Sequence, residues 1–257
     1  MQFSKRFVPM LSAFALVGAL TLTATSATAW DWSWGAKISG SGNIKTEARA
    51  VTGFNGISLS IPAKAEIIQG ASEGISIETD DNILPLIETV IEEGKLKIRF
   101  KDRNISVSTK TLRMTINVKS IESLAVAGAG DLQAAKLQVT TLKTSIAGSG
   151  DVRIANLDAD TLIVSIAGSG DFSAGGKSNT LEAKIAGSGD IKTEKLATNN
   201  VKVSIAGSGD AKVWAKDTLK ISVAGSGDVA YYGDAKVTQS VAGSGSVKRL
   251  GSAPAGL

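Results

Sequence analysis

Six aspartates recur where a chain could assemble carboxylate chemistry: Asp131, Asp151, Asp171, Asp190, Asp210 and Asp228. Each follows Gly-Ser-Gly or, at Asp131, Gly-Ala-Gly. Three chemistries suit such a row. A carboxylate can accept a backbone N–H and hold a corner, as in an Asx turn. Stacked carboxylates can bind calcium through hard oxygen ligands. Paired carboxylates can act as acid and base in catalysis. If the row stacks at the ~4.8 Å spacing of β-strands, neighbouring charges in water repel by only about 0.9 kcal/mol. Arg153, Lys192 and Lys212 each stand two residues after an aspartate, hence on the same strand face, and can offset that repulsion. Calcium-binding rolls rich in glycine and aspartate repeat every nine residues or so, about half the step found here. The row is therefore read as corner capping, with a cation ladder as its rival. No metal, catalytic or cofactor-binding residue is assigned.

The aspartates belong to a phrase. Ile-Ala-Gly-Ser-Gly-Asp begins at Ile146, Ile166, Ile185 and Ile205, with variants from Val126, Val223 and Val241. The first glycines fall at 128, 148, 168, 187, 207, 225 and 243, giving steps of 20, 20, 19, 20, 18 and 18. A near-constant step of this size marks stacked repeats. Ahead of each phrase, apolar residues alternate with polar ones: Leu142, Thr144, Ile146; Leu162, Val164, Ile166; Leu181, Ala183, Ile185. The series runs on through Val201, Val203, Ile205, then Leu219, Ile221, Val223, then Val237, Gln239, Val241. The opposite face carries Ser145, Ser165, Lys184, Ser204, Ser222 and Ser240. After each phrase comes a second short alternation, such as Val152 with Ile154 or Phe172 with Ala174. A third apolar anchor is clear at Leu137 and Leu157 and then weakens.

This pattern predicts an all-β chain: a right-handed parallel β-helix-like repeat domain, each coil giving two or three short strands separated by glycine corners. The glycines allow positive φ and close passage of adjacent coils. A less regular β-rich segment precedes the coils. A β-sandwich of hairpins also gives short alternating strands, but does not place the same residues at the same corner at a constant step.

From Phe54 to Ser120 the alternations are β-like without a visible repeat. Ile57, Leu59 and Ile61 form a strand ended by Pro62, Ala65–Gln69 a second and Ile75–Glu78 a third. Ile83–Ile91 carries a short helical turn before a strand, and Glu92-Glu93-Gly94-Lys95 is a hairpin turn. Ile38-Ser-Gly-Ser-Gly-Asn43 echoes the later phrase, so the repeat is expected to begin early.

Lys5 and Arg6, an apolar run from Phe7 to Leu22 and Ala27-Thr28-Ala29 make residues 1–29 a cleavable signal peptide. The run is short for a membrane span, so the mature chain is expected to have no transmembrane segment. Removing Lys5 and Arg6 leaves 26 basic against 24 acidic side chains, a near balance that excludes nucleic acid as a partner. Residues 30–37 form a leader with Trp30, Trp32 and Trp34 on one side if extended. Cysteine and histidine are both absent, which removes disulfides, thiolate chemistry and the commonest general base. Late aromatics Trp214, Tyr231 and Tyr232 could stack on a sugar, but filling or capping the stack end is the preferred role.

Gly40-Ser-Gly-Asn43, Phe54-Asn-Gly-Ile57, Ile67-Ile-Gln-Gly70, Asp80-Asp-Asn82, Gly94-Lys-Leu-Lys-Ile98 and the serial Ala-Gly-Ser-Gly-Asp corners form a combined pattern. It resembles the GIN head domain of putative auto-transporter adhesins, over residues 38–250. The resemblance implies an exported, β-helix-like protein with an adhesive role, and it transfers no catalytic residues. One domain over 38–250 is expected, with 38–120 irregular and 121–250 regular, followed by a tail at 251–257. That tail is too short for a translocating barrel, so self-transport is not expected. The function expected is a non-enzymatic binding or scaffold module of the cell envelope, periplasmic or extracellular. Its partner is an envelope glycan or protein. The alternative is a carbohydrate-active β-helix enzyme.

Overall fold

The computed structural model describes residues 37–254. The expected signal peptide, Trp30, Trp32 and Trp34, and residues 255–257 lie outside the described residues. The chain begins with β1 (Lys37–Ser39), β2 (Ile44–Arg49), β3 (Gly56–Leu59), β4 (Lys64–Gln69) and β5 (Gly74–Asp80). A 3-10 turn (Leu84–Leu86) leads into β6 (Ile87–Glu92), then β7 (Lys95–Phe100), β8 (Ser106–Ser108) and β9 (Leu112–Val118). The coils follow: β10 (Ser123–Gly128), β11 (Asp131–Gly148), β12 (Val152–Gly168), β13 (Phe172–Gly187), β14 (Ile191–Gly207) and β15 (Ala211–Gly225). The last strands are β16 (Val229–Tyr232), β17 (Lys236–Gly243) and β18 (Val247–Gly251). Among the described residues, no helix is long and apolar enough to cross a membrane.

The coils form a parallel β-solenoid with each phrase directly over the last. Ile146 pairs in register with Ile166, Ile166 with Ile185, Ile185 with Ile205, and Ile205 with Val223. All five are buried, so one apolar row runs along the interior. Fully burying each such side chain contributes about 1.5–3 kcal/mol, but only because neighbouring coils cover it. The row continues downward into the segment without a visible repeat. Val126 pairs with Leu59, and Leu59 with Ile98, both buried. On the other wall β11 stacks on β4, and β4 on β9. The irregular half therefore supplies the first coils, with Ser60–Ala63 at the place of the later glycine corner.

Antiparallel strands close this end. β6 folds back on β7 through Glu93 (φ 52) and Gly94 (φ 72), while β2 and β5 continue the β9 wall. Half-buried Arg49 ties the closure together, donating to the carbonyls of Leu84 at 3.0 Å and Ile87 at 2.8 Å.

The third apolar anchor weakens after Leu157, as expected: Leu157 pairs with Gly176, Gly176 with buried Leu196, and Leu196 with no residue of β15. Two sequence expectations need correction. First, glycine does not mark every corner. β11 runs unbroken from Asp131 to Gly148, and its other bends are made inside the ladder without glycine, whereas β13 carries Gly175 and Gly176 (φ 107) at a second bend. Second, the early echo of the phrase is not a coil. β1 pairs with β8 in a separate two-stranded sheet, and residues 40–43 wrap around Asp80, Asp81 and Asn82.

Candidate functional site

The six aspartates line one edge of the stack and form a chain of hydrogen bonds between coils. Asp131 Oδ1 accepts the backbone N–H of Asp151 at 3.3 Å, and Asp151 Oδ1 that of Asp171 at 3.0 Å. Asp171 accepts from Asp190 at 3.1 Å, Asp190 from Asp210 at 3.1 Å, and Asp210 from Asp228 at 2.8 Å. The row closes at Ser246, whose N–H and hydroxyl both donate to Asp228 Oδ1. The carboxylates thus cap a corner, but the corner belongs to the next coil rather than their own. Among the described residues, no three acidic side chains are grouped so that they could hold an ion.

The glycines put the carboxylates there by two separate mechanisms. The first glycine of each phrase has φ between +99° at Gly128 and +136° at Gly187, a range that resists side chains. The second is needed for space: a Cβ on Gly150 would collide with the Gly130 carbonyl.

The outer carboxylate oxygens meet cations. Arg153 donates to Asp151 Oδ2 at 2.6 Å, and Lys192 bridges Asp171 at 2.7 Å and Asp190 at 3.3 Å. Asp171, and then Asp190, hold the Lys192 ammonium above the usual lysine range. Lys212 makes no ion pair within 4.0 Å among the described residues.

Beside this ladder a groove of about 870 Å³ runs along the outer wall, crossing β4, β11, β12, β13 and β14. Four coil-to-coil steps give it a length of roughly 19 Å. Ala135, Ala155 and Gly175 keep its floor low, while Arg153, Lys192 and Lys195 rise along it. Glu66 and Glu194 add two carboxylates.

Glu194 stands beside a shortened coil. Between the pairs Ser173–Lys192 and Gly175–Lys195, Ala174 faces two residues, Thr193 and Glu194, just as Gly175 faces both Ala155 and Asn156 on its other side. β13 is thus one residue short, and Glu194, next to buried Thr193, holds the outward place that Ala155 holds in β12, turned toward the groove. Its Oε2 is buried and without a hydrogen-bond partner; among the described residues the other side chains with such an atom, Thr79 and Thr144, lie in the core. Sequence reasoning missed Glu194. The drift in step from 20 to 19 and back signalled a change of coil length, but not its position within the coil.

Trp214 and Tyr232 are also placed differently from the expected stack-end filler. Val213 and Ala215 are buried, so Trp214 between them projects outward, and its register partner is Tyr232. Tyr231 alone packs against the core.

At the opposite end, the loop at residues 40–43 and the turn at 80–82 interlock. Asp80 Oδ1 accepts the Gly42 N–H at 2.6 Å, and its Oδ2 accepts the Thr109 hydroxyl. Ser41 donates to Asp81 at 2.6 Å, and Asn82 donates to the Ser39 carbonyl at 2.8 Å. The Thr109 hydroxyl, then the Gly42 amide, keep the Asp80 carboxyl below its ordinary value. The side chains of Ser41, Asp80 and Asn82 are all directed at protein, so the arrangement is a fastening.

Residues 53–235 match the family described as "Putative auto-transporter adhesin, head GIN domain". A putative adhesin from Bacteroides fragilis NCTC 9343 has a similar crystal structure, with 25% identity and a TM-score of 0.79, covering 83% of this chain and 100% of that one. A putative lipid binding protein from Parabacteroides distasonis ATCC 8503 is also 25% identical, with a TM-score of 0.72 and coverage of 83% and 99%. A putative adhesin from Parabacteroides merdae ATCC 43184, at 24% identity and a TM-score of 0.69, covers 84% and 100% and shares the fold. No curated protein matches the chain in sequence.

Proposed function

We propose, for a chain that belongs to the GIN head-domain family of putative auto-transporter adhesins, that it is an exported, non-enzymatic binding module of the cell envelope, adhesin-like in role. One observation carries this reading: the repeated carboxylates are already engaged in fastening coil to coil, while the wall beside them stays open as a long groove. Catalysis by paired carboxylates needs oxygens free to take and give protons. In the ladder one oxygen of each aspartate holds a backbone amide, and several of the others hold a cation. The adhesin-like relatives support the same role. Export rests on Lys5, Arg6, the apolar run and Ala27-Thr28-Ala29.

The test uses immobilised protein presented with envelope polysaccharides and whole envelope fractions, scoring retention and cleavage together. Retention without new reducing ends is expected. Cleavage abolished by a single Asp→Asn change would overturn the reading in favour of a carbohydrate-active enzyme. Mass spectrometry of the exported protein should find Trp30 as the first residue; an intact Met1 on cytoplasmic protein would sink the export claim.

A further inference from the structure

We infer that the groove beside the aspartate ladder is a binding site for a neutral, hydroxyl-rich glycan chain, with Glu194 as its buried acceptor and Trp214 and Tyr232 as its stacking ledge. This rests on the binding role proposed above and names the ligand class and the residues that recognise it.

Glu194 Oε2 points to the ligand's hydrogen-bonding character. A buried carboxylate oxygen without a partner carries a desolvation cost that a donor relieves. Lys195 is adjacent in sequence, yet no ion pair joins them within 4.0 Å among the described residues. The oxygen is covered as the side chain lies, but Glu194 itself is partly exposed and lines an open groove beside the short β13, so turning the carboxyl group presents it to an incoming donor. Sugar hydroxyls are such donors.

Charge decides between neutral and acidic chains. Arg153 and Lys192 would attract an anionic polymer, but both are already paired with the ladder carboxylates. Of the basic side chains lining the groove, only Lys195 is left without such a partner, against the two carboxylates of Glu66 and Glu194. Lys212 and Lys216 add charge only beside the aromatics, one coil further. Along the groove itself a polyanion meets more free carboxylate than free cation, a penalty that a neutral chain does not meet.

The aromatics lie where the groove ends. Thr193 pairs with Val213, so Trp214 occupies in the next coil the place that Glu194 holds in its own. Tyr232 follows one coil further. A chain lying along the stack passes from the Glu194 carboxylate onto the two rings, and sugar faces pack on aromatic faces through their C–H surface. Lys216 now sits over the Trp214 ring, 5.8 Å from its centroid. Its side chain is exposed, so a ligand can displace it.

The experiment is calorimetric titration of the whole protein with cellohexaose, maltohexaose and, as the acidic counterpart, hexagalacturonate. The variants are Glu194→Gln, which keeps shape and removes charge, and Trp214→Ala; thermal melts confirm that both fold. One neutral hexasaccharide should bind, hexagalacturonate should bind more weakly, and Glu194→Gln should weaken the neutral ligand roughly tenfold. Trp214→Ala should weaken it roughly three- to tenfold. No binding of either neutral probe overturns the ligand class, and preferential binding of hexagalacturonate overturns the charge balance. Neutral binding that ignores both substitutions overturns the site. Retention of envelope material by both variants, with no hexasaccharide bound, rejects the glycan groove and leaves the adhesin-like role standing. No retention by the wild type rejects both.

Discussion

Asp190 accepts the backbone N–H of Asp210, one coil further along the stack, at 3.1 Å. The bond joins two coils at the one corner where glycine interrupts the strand ladder, and it explains why an acid recurs there.

Asp190→Ala should therefore lower stability by about 0.5–2 kcal/mol, the usual cost of losing a side-chain cap to a backbone amide. Asp190→Asn keeps an acceptor oxygen and should lose much less. Thermal melts of the three proteins, with and without millimolar calcium, separate this role from the cation ladder. A large calcium-dependent rise in wild type, lost in both variants, would establish a metal site by mass action on the native state. Capping predicts melts that do not respond to calcium.

Gly187→Val should be more damaging. Its φ is +136°, and a Cβ would collide with the Gly168 carbonyl one coil below. Strained φ and an overpacked contact together cost roughly 2–6 kcal/mol. Gly189→Ala tests the space requirement alone, because Gly189 lacks the positive φ but would meet the Gly170 carbonyl. If Gly189→Ala melts like wild type, close stacking at this corner is wrong.

Glu92 should make the closing hairpin sensitive to acid. Hydrogen bonds from Arg99, then Lys97, depress its carboxyl from 4.5 to about 2. A lowered acid adds stability above its unfolded pKa and loses it as pH falls through the folded one. The contribution should be complete above about pH 4.5 and gone below about pH 2. Glu92→Gln should flatten the fall in melting temperature across that window; an unchanged slope would show that the Arg99 contact does not contribute.

Asp80→Asn should loosen the fastening at residues 40–43. The carboxylate takes both the Gly42 amide and the Thr109 hydroxyl, and an amide nitrogen would face one of these donors instead. Hydrogen exchange at Gly42 should accelerate while exchange in β12 and β13 stays slow. Equal acceleration everywhere would mean that Asp80 holds the whole fold rather than one loop.

The repeat step, the alternation before each glycine and the helical turn ahead of the Glu92–Lys95 hairpin were legible in the sequence. Each is local: a period-two pattern fixes which side chains point inward, and recurrence at one corner fixes the stacking register. The single turn at Leu84–Leu86 followed from Pro85 between apolar residues. What the sequence left open depends on pairing across long separations. The echo at residues 38–43 has the glycines and polar side chain of a later corner, yet β1 pairs with β8, and Asp80 gathers the loop instead. Leu59 and Ile98 carry no repeat signature, but register alone puts them in the core row below Val126. The candidate site was least visible of all. Glu194 reads as one more solvated acid after Thr193, and only stacking against the shorter β13 gives it a buried, unpartnered oxygen beside the groove. Spacing along the chain determined the coil; the difference between neighbouring coils, which exists only once they are stacked, determined the groove.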